Sequence, residues 1–362
     1  MSDLIDPTFF PLHAAFFFVL GALFGSFFNV CIYRMPVGQA ITMPRSYCYS
    51  CGTTIRWYDN VPIISYFILR GRCRTCRAPF SIRYAIVEFL SAVLFLAVFW
   101  QYRFCWAMPT YLAFTGLLVI AAFTDIDHWV ILDRISVGGA AAGILLALAL
   151  AFLPAVDLGS WIVAHAGPAP DNSWLTGTSR LTWWSPVLNS LVGALAGSGL
   201  LWFIGFVGSI AFRKPAMGLG DVKLLALIGA FCGWRIAVLC IFLASLFGTV
   251  YGLGAILWDR RRRAAAEAAS QETEDPEKRL QEIRALLDDD SEAAKRRGWT
   301  FSAEEKVALT RILSAPPAEA VPTRHHLPFG PHLALAAWLL MLFEPQVMGW
   351  LRAYLYLDSL YY

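Results

Sequence analysis

The stretch Met217-Gly-Leu-Gly-Asp-Val-Lys223 places an aspartate where a long apolar segment begins. A carboxylate at a membrane boundary is costly unless a partner or a reaction uses it, because hydrocarbon does not solvate charge. Glycines before a helix often serve only turn geometry and close packing, so Gly-Leu-Gly-Asp is by itself a weak functional signal. The stretch predicts a helical membrane protein and makes Asp221 its first candidate functional residue.

A possible partner for Asp221 follows an earlier apolar run. Thr124-Asp-Ile-Asp127 ends that run, so Asp125 is expected at a similar membrane depth. Two carboxyl groups held close together do not both ionise easily, and such a pair can act as general acid and general base toward water. We therefore interpret the two residues as the catalytic pair of an aspartyl peptidase at a membrane face. Asp127 is the alternative to Asp125.

Composition places the chain among polytopic membrane proteins. Its 362 residues are 58% hydrophobic with a mean hydropathy of +0.56, and several runs are long enough to span a bilayer. The net charge of +3 says little, since orientation depends on where Lys and Arg fall. Asp3 and Asp6, without a basic region beside them, do not resemble a cleaved signal peptide, so the first run is expected to be a retained span.

The apolar runs predict an all-α fold with eight transmembrane helices. In order, the expected spans are 9–32, 84–101, 109–124, 135–153, 186–212, two segments within 224–258, and 331–350. The run 224–258 is too long for one span, and Gly233-Trp-Arg235 is the predicted break within it.

Basic residues predict the orientation of these spans. The arginine-rich connection 33–83, the pair Arg213-Lys214 and the cluster 260–263 should all stay in the cytoplasm. With that orientation, span counting alone brings both Asp125 and Asp221 to the cytoplasmic face.

The same patterns divide the chain into five parts. These are a first span (1–32), a cytoplasmic basic domain with four cysteines (33–83), a transmembrane peptidase core (84–258), a charged cytoplasmic insert (259–326), and a last span with its tail (327–362). Capping patterns in the insert predict two short amphipathic helices. A solvated and partly disordered segment is the alternative for the insert.

Four of the eight cysteines form two Cys-x-x-Cys pairs. Twenty-one residues separate the pair Cys48 and Cys51 from the pair Cys73 and Cys76. Four thiolates presented by two tight turns suit a closed structural zinc site, which leaves no position for substrate. The predicted reducing compartment disfavours the alternative of two disulfides, and a redox role is a third possibility. The remaining cysteines fall in or beside apolar runs and are expected to pack as small apolar residues: Cys31, Cys105, Cys232 and Cys240.

An ordered set of stretches covering nearly the whole chain resembles the type IV prepilin peptidases. The first four are Gly25-Ser-Phe-Phe-Asn-Val-Cys-Ile-Tyr-Arg-Met-Pro36, Arg56-Trp-Tyr-Asp-Asn-Val-Pro62 within the cysteine region, Arg70-Gly-Arg-Cys-Arg-Thr-Cys76 and Arg83-Tyr-Ala-Ile-Val-Glu-Phe89. The others are Thr124-Asp-Ile-Asp-His128, Gly218-Leu-Gly-Asp-Val-Lys-Leu-Leu225 and Pro328-Phe-Gly-Pro331. The insert departs from this pattern, and the resemblance says nothing about its role.

The resemblance implies that Asp125 and Asp221 are the catalytic pair and favours Asp125 over Asp127. It implies prepilin or pseudopilin substrates with a basic leader cut after a glycine at the cytoplasmic border, followed by S-adenosylmethionine-dependent methylation of the new N-terminus. It also implies a bacterial inner-membrane location and, as further partners beside the lipid bilayer, components of pilus or type II secretion assembly. No nucleic-acid partner is expected.

Several polar residues near the span ends receive two interpretations each. Asn29, Arg34 and Glu88 have a depth that suits a cofactor contact, and equally an interhelical hydrogen bond or an interfacial anchor, so the cofactor site is left unassigned. Lys223 either biases the ionisation of Asp221 or extends to the interface. Asp133 is expected to cap span four.

Two other functions share part of these features. Other membrane aspartyl proteases with a Gly-x-Gly-Asp motif, such as the presenilin and signal peptide peptidase group, do not explain the cysteines or the basic loop. A transporter or scaffold whose zinc site binds a partner would not need either aspartate.

Overall fold

The computed structural model describes residues 10–102, 108–152, 185–214, 217–272 and 328–354. Within them the chain forms a 3-10 turn (Trp57–Asp59) and α-helices, with two isolated β-bridges and no β-strand, so the predicted all-α fold is confirmed. In chain order the helices are α1 (Phe10–Arg34), α2 (Ile64–Ile68), α3 (Arg83–Tyr102), α4 (Met108–His128), α5 (Asp133–Phe152), α6 (Ser185–Phe212), α7 (Leu219–Glu272) and α8 (Gly330–Tyr354).

Five candidate spans are found among the described residues, where the sequence predicted eight spans in the full chain. By length and composition they are Phe10–Arg34, Arg83–Tyr102, Met108–His128, Val187–Phe212 and Leu219–Arg262, and a shorter apolar segment covers Gly330–Phe343. The predicted break in the longest run is confirmed, because Gly233 has φ 80° and ψ 172° inside α7. α7 therefore consists of two helical segments.

The end of α7 differs from the prediction. The apolar run 224–258 was expected to stop at Trp258, yet the helix passes through the arginine cluster and ends at Glu272. Alanine dominates 264–269 and is the strongest helix former, so the backbone stays helical after the apolar surface has ended. The two helices predicted in the insert lie outside the described residues, as do most of the outer loop at 154–185 and the C-terminal tail.

The chain divides into two compact units, residues 1–248 with 328–362 and residues 249–327. In the first unit α1 packs closely along α3, with Gly21 and Gly25 facing the backbone of α3 at Ser91 and Glu88. Small residues four apart let two membrane helices approach in this way. Phe17 stacks on Phe99 with ring centroids 4.6 Å apart and extends the same contact.

Helix α4 lies at the centre of this unit. It contacts α1, α3, α5 and α8, and its Phe114 stacks on Phe231 of α7 at 5.0 Å. Asp125 follows in the last turn of α4, so the packing of the whole unit fixes its position.

Helix α6 crosses α7 where α7 breaks. Ser190 of α6 donates a hydrogen bond to the Ala230 carbonyl at 2.7 Å. A break removes helical hydrogen bonds, and a neighbouring hydroxyl can satisfy the freed carbonyl inside a membrane.

Candidate active site

Asp125 is a buried carboxylate held by a backbone donor. Asp125 is 7% exposed, and the Gly330 amide at the start of α8 donates to Asp125 Oδ2 at 3.0 Å. A Cβ added to Gly330 would lie 2.6 Å from that oxygen, so glycine is needed for the approach. Gly330 belongs to the Pro328–Pro331 stretch, to which the sequence assigned no role. In the sequence, the one signal for a role of Gly330 was its position at the start of the last apolar run.

The turn that carries Asp221 lies next to this carboxylate. Asp221 is in the first turn of α7, and the Ile131 side chain lies 3.1 Å from the position of a Cβ on Gly220. The same Ile131 also lies 3.1 Å from the position of a Cβ on Gly330. Ile131 thus packs against both the turn that carries Asp221 and the glycine whose amide binds Asp125. The structure therefore brings the two predicted residues to one location.

The other acidic and basic candidates nearby have different partners. Asp127, the alternative to Asp125, forms an ion pair with Arg83. Lys223 donates to Asp133 Oδ1 at 2.6 Å, an interaction that neither prediction for Lys223 included. Asp133 opens α5 and binds this cation. Of the three acidic residues on α4 and at the start of α5, Asp125 is the one that contacts the α8 amide.

The four predicted cysteines converge on one point. All four Sγ atoms lie within 4.8 Å of one another, and Cys48 Sγ and Cys76 Sγ are 3.7 Å apart. A tetrahedral site with zinc–sulfur bonds of about 2.3 Å has sulfur–sulfur edges of about 3.8 Å. None of the four is disulfide-bonded. The donor set fits a Cys₄ metal centre.

The electrostatics of the cluster also suit a cation. Thr53 lowers the pKa of the Cys51 thiol to about 6 through hydrogen bonds from its hydroxyl and its backbone. The Ala78 amide lowers the pKa of Cys76, but burial and the neighbouring thiols outweigh it and raise that pKa to about 11. Repulsion among crowded thiolates is relieved when a bound dication neutralises them.

The two cysteine turns have the same backbone design. Cys48 N–H bonds to the Thr53 carbonyl at 2.9 Å, and Cys73 N–H bonds to the Ala78 carbonyl at 2.8 Å. The residue after each second cysteine has a left-handed conformation, Gly52 with φ 70° and Arg77 with φ 61°. Each pair is thus presented by one tight turn, as the spacing predicted.

Asn29, Arg34 and Glu88 line one cavity in this region. Asn29 Nδ2 donates to the Tyr84 carbonyl at 3.0 Å, and Glu88 Oε2 accepts from the Ile63 amide at 2.7 Å. Glu88 thereby links α3 to the cysteine region. The interhelical hydrogen bond anticipated for these residues is present at Asn29, which links α1 to α3, and the cavity is an additional feature.

Comparisons with known proteins agree with the resemblance. The family model described as "Bacterial Peptidase A24 N-terminal domain" matches residues 19–102, and that described as "Type IV leader peptidase family" matches residues 174–253. No solved structure matches the chain significantly.

Three relatives share the name prepilin leader peptidase/N-methyltransferase. The protein of Myxococcus xanthus is 32% identical over 92% of this chain and 91% of its own length. That of Neisseria gonorrhoeae is 32% identical over 69% of this chain and 84% of its own length. That of Pseudomonas putida is 31% identical over 68% of this chain and 83% of its own length. With its paired aspartates, cysteine cluster and membrane helices, the chain belongs to the type IV leader peptidase family.

Proposed function

We propose that this chain cuts the short basic leader from type IV prepilins or type II secretion pseudopilins, using Asp125 and Asp221, and then methylates the new N-terminus. The observation that carries the peptidase proposal is the buried carboxylate of Asp125 beside the helix start that bears Asp221. Family membership supports the reaction class. Components of pilus or secretion assembly are proposed as further partners.

The two carboxyl groups would divide the proton transfers of peptide hydrolysis. The ionised one takes a proton from water, whose oxygen attacks the scissile carbonyl carbon, while the protonated one donates to the carbonyl oxygen. The intermediate then collapses and the carbon–nitrogen bond breaks. The carboxyl group that took the proton from water gives it to the departing nitrogen, and the other carboxylate takes back the proton of the former carbonyl oxygen. Such a pair titrates jointly, so the shared proton belongs to the dyad rather than to one residue.

The Gly330 amide would keep one oxygen of Asp125 in a fixed direction. Oδ2 of Asp125 accepts this backbone hydrogen bond at 3.0 Å, and the carboxylate keeps further lone pairs that can accept from water or substrate. This contact makes Gly330 a positioning residue for the dyad.

The orientation of the basic residues supports a cytoplasmic active site in the bacterial inner membrane. Arginines follow the end of α1, and Arg213 follows the end of α6, immediately before the turn that carries Asp221. Short connections rich in Lys and Arg remain in the cytoplasm. A substrate made of a basic leader joined to an apolar helix would have its scissile bond at the same border.

We assign zinc to the cysteine cluster, with a structural role. Cys48, Cys51, Cys73 and Cys76 would hold the ion in a closed four-sulfur site and tie the two turns together. A variant with all four cysteines replaced by serine should lose about one equivalent of zinc per chain in metal analysis. Unchanged zinc content in that variant would refute the assignment.

The methyl donor is S-adenosylmethionine, whose sulfonium supplies an activated methyl group to the new amine.

Cleavage by the purified full chain in detergent tests the peptidase proposal. A peptide with a basic leader, a glycine and an apolar helix should be cut once, before the helix, as seen by mass spectrometry. Asp125→Asn and Asp221→Asn should each lower the rate at least about 100-fold, because each removes a proton-transfer group.

Asp127→Asn and Asp133→Asn are matched controls. Each removes a carboxylate that pairs with a cation near the same helix ends, and each should retain cleavage. Cleavage that survives Asp125→Asn or Asp221→Asn would overturn the proposed dyad.

A further inference from the structure

A cavity of about 410 Å³ lies between α1, the cysteine region and the start of α3. Pockets for small organic ligands commonly have volumes of about 300–1,000 Å³. The residues that contact Asp125 come from α4, α7 and α8 and do not line this space. We propose that this cavity binds the methyl donor S-adenosylmethionine, with Asn29, Arg34 and Glu88 as its polar contacts. The inference rests on the methylation activity proposed above.

Asn29 gives the first indication that the cavity receives a ligand. It is 5% exposed, and although its Nδ2 donates to the Tyr84 carbonyl, its Oδ1 is buried without a hydrogen-bond partner. A buried acceptor left unpaired destabilises the folded protein, because it has lost its hydrogen bonds to water without replacement. A ligand N–H or O–H donor at this oxygen would remove that cost.

Arg34 and Glu88 add opposite charges to the same cavity. The buried Arg34 guanidinium donates from Nη1 to the carbonyls of Ala40 at 3.2 Å and Ile41 at 3.3 Å. Glu88 accepts the Ile63 amide and sits in the first turns of α3. In the part of the chain that is described, neither forms an ion pair. Arg34 is a buried charge without an opposite partner, which is expensive, and Glu88 is half-buried, so the two suit a ligand that itself carries both signs.

The backbone of the cavity wall is strained beside Glu88. Ile63 has φ 63°, an unfavourable value for a β-branched residue. Its amide is the one bound by Glu88, and the preceding Val61 and Pro62 line the cavity. Strained backbone that is held by a specific contact is concentrated at ligand sites.

Aromatic residues form the accessible side of the cavity. Tyr49 is 53% exposed and Tyr33 is 38% exposed, with ring centroids 4.8 Å apart, and both line the cavity. Asn29 and Arg34 line it too and are buried. The site therefore combines an exposed aromatic rim with buried polar groups, an arrangement that binds a planar base at the rim and charged groups at depth.

These features correspond to the chemistry of the methyl donor. Its adenine is planar, its methionine carboxylate complements Arg34, and its ammonium and sulfonium groups complement Glu88. Its ammonium, ribose hydroxyls and adenine amine are donors that could satisfy Asn29 Oδ1. A new pilin N-terminus offers an ammonium but no adenine-like ring, so it matches fewer of the groups present.

Isothermal titration calorimetry on the full chain in detergent tests this assignment without depending on turnover. S-adenosylmethionine and S-adenosylhomocysteine, titrated separately, should both bind the wild-type protein. Glu88→Gln should weaken binding of S-adenosylmethionine at least about tenfold, because it removes the charge from a hydrogen-bonding partner of the ligand's cationic groups. Tyr49→Ala, which removes a 53% exposed ring from the rim of the cavity, should weaken both ligands severalfold.

Asp127→Asn is the matched control, since Asp127 pairs with Arg83 and does not line the cavity. It should bind both ligands as the wild-type protein does. Wild-type affinity in both Glu88→Gln and Tyr49→Ala would overturn the assignment. So would binding of an N-terminal pilin peptide that requires Glu88, with no binding of either adenosyl compound.

The peptidase proposal is judged separately by leader cleavage in Asp125→Asn and Asp221→Asn. Failure of the dyad would leave the cavity result intact. Failure of the cavity result would leave the dyad intact.

Discussion

The orientation of Asp125 depends on the amide of a residue 205 positions away in the chain. The carboxylate itself was identifiable from sequence, because charge at the end of an apolar run is costly and requires a reason. Its donor was not, since every non-proline residue carries an N–H and no side chain marks the one that is used. The four cysteines were predictable for the opposite reason, as their thiols and spacing specify the chemistry directly.

Replacing Gly330 tests how much the orientation of the Asp125 carboxylate contributes to the rate of leader cleavage. A Cβ would lie 2.6 Å from Asp125 Oδ2, so Gly330→Ala must shift the start of α8 or the carboxylate. Loss of one preorganised donor commonly lowers rates about 100-fold or more when it acts on the substrate, and we expect about tenfold for this indirect contact. Leader cleavage should fall while zinc content stays the same.

Gly138→Ala is the matched control for that experiment. Nothing lies within 4 Å of a Cβ at Gly138 on α5, so this variant should cleave at the wild-type rate. Equal rates for Gly330→Ala and the wild-type protein would contradict a positioning role for Gly330.

Opposite substitutions at the left-handed residues of the two cysteine turns test how backbone strain affects zinc binding. Gly52→Ala places a side chain at φ 70° with no steric contact, so its cost is conformational and amounts to about 1–2 kcal/mol. Zinc affinity, measured by competition with a chelator, should fall about fivefold to thirtyfold. Arg77→Gly relieves the equivalent strain at φ 61° and should not weaken zinc binding. A weaker site in Arg77→Gly would show that the Arg77 side chain stabilises its turn.

Helix positions were the most predictable feature, because long apolar runs must bury or face lipid over their whole length. The first span was expected at 9–32 and α1 covers Phe10–Arg34, and the fifth was expected at 186–212 and α6 covers Ser185–Phe212. The end predicted at Trp258 falls short of the end of α7 at Glu272. Hydropathy reports where lipid contact ends and not where helical hydrogen bonding ends. Alanine-rich sequence continues a helix in water as readily as in a membrane.

The crossing of α6 and α7 gives a prediction about stability. A Cβ on Gly193 would lie 2.8 Å from Gly233 Cα and would collide with the Gly229 carbonyl oxygen. Gly193→Ala should therefore separate the helices and destabilise the protein by about 1–3 kcal/mol, lowering its Tm in detergent. Gly199→Ala on the same helix meets nothing within 4 Å and should keep the wild-type Tm. An unchanged Tm in Gly193→Ala would show that the crossing is adaptable.

Across the chain, the two proposed chemistries are built from different elements. Asp125 and its neighbours belong to α4, α7 and α8, whereas the cavity is lined by α1, the cysteine region and α3. Sequence motifs indicated the first site, since its acidic residues fall in recognisable patterns. For the second site the sequence offered Asn29, Arg34 and Glu88 as candidate cofactor contacts beside other interpretations. It could not show that they share a cavity, because a cavity arises from the packing of three segments and has no motif of its own.

Zinc removal should affect ligand binding in the cavity and not leader cleavage. Without metal the cysteine turns lose their common anchor, and the cavity wall that they support should loosen. Treating the protein with a chelator should weaken the binding of S-adenosylhomocysteine in calorimetry while leader cleavage continues near its original rate. Parallel loss of both would show that the cysteine region also supports the peptidase.

The interruption of α7 at Gly233 bears on how a bulky helical substrate gains access. An unbroken helix transmits any tilt along its entire length. A helix that is interrupted at one point lets the shorter segment pivot while the longer segment keeps its position. Asp221 lies on that shorter segment. We therefore expect the distance between the two aspartates to increase when a pilin helix enters and to decrease again around the scissile bond. The segment of α7 after Gly233 would not need to rearrange.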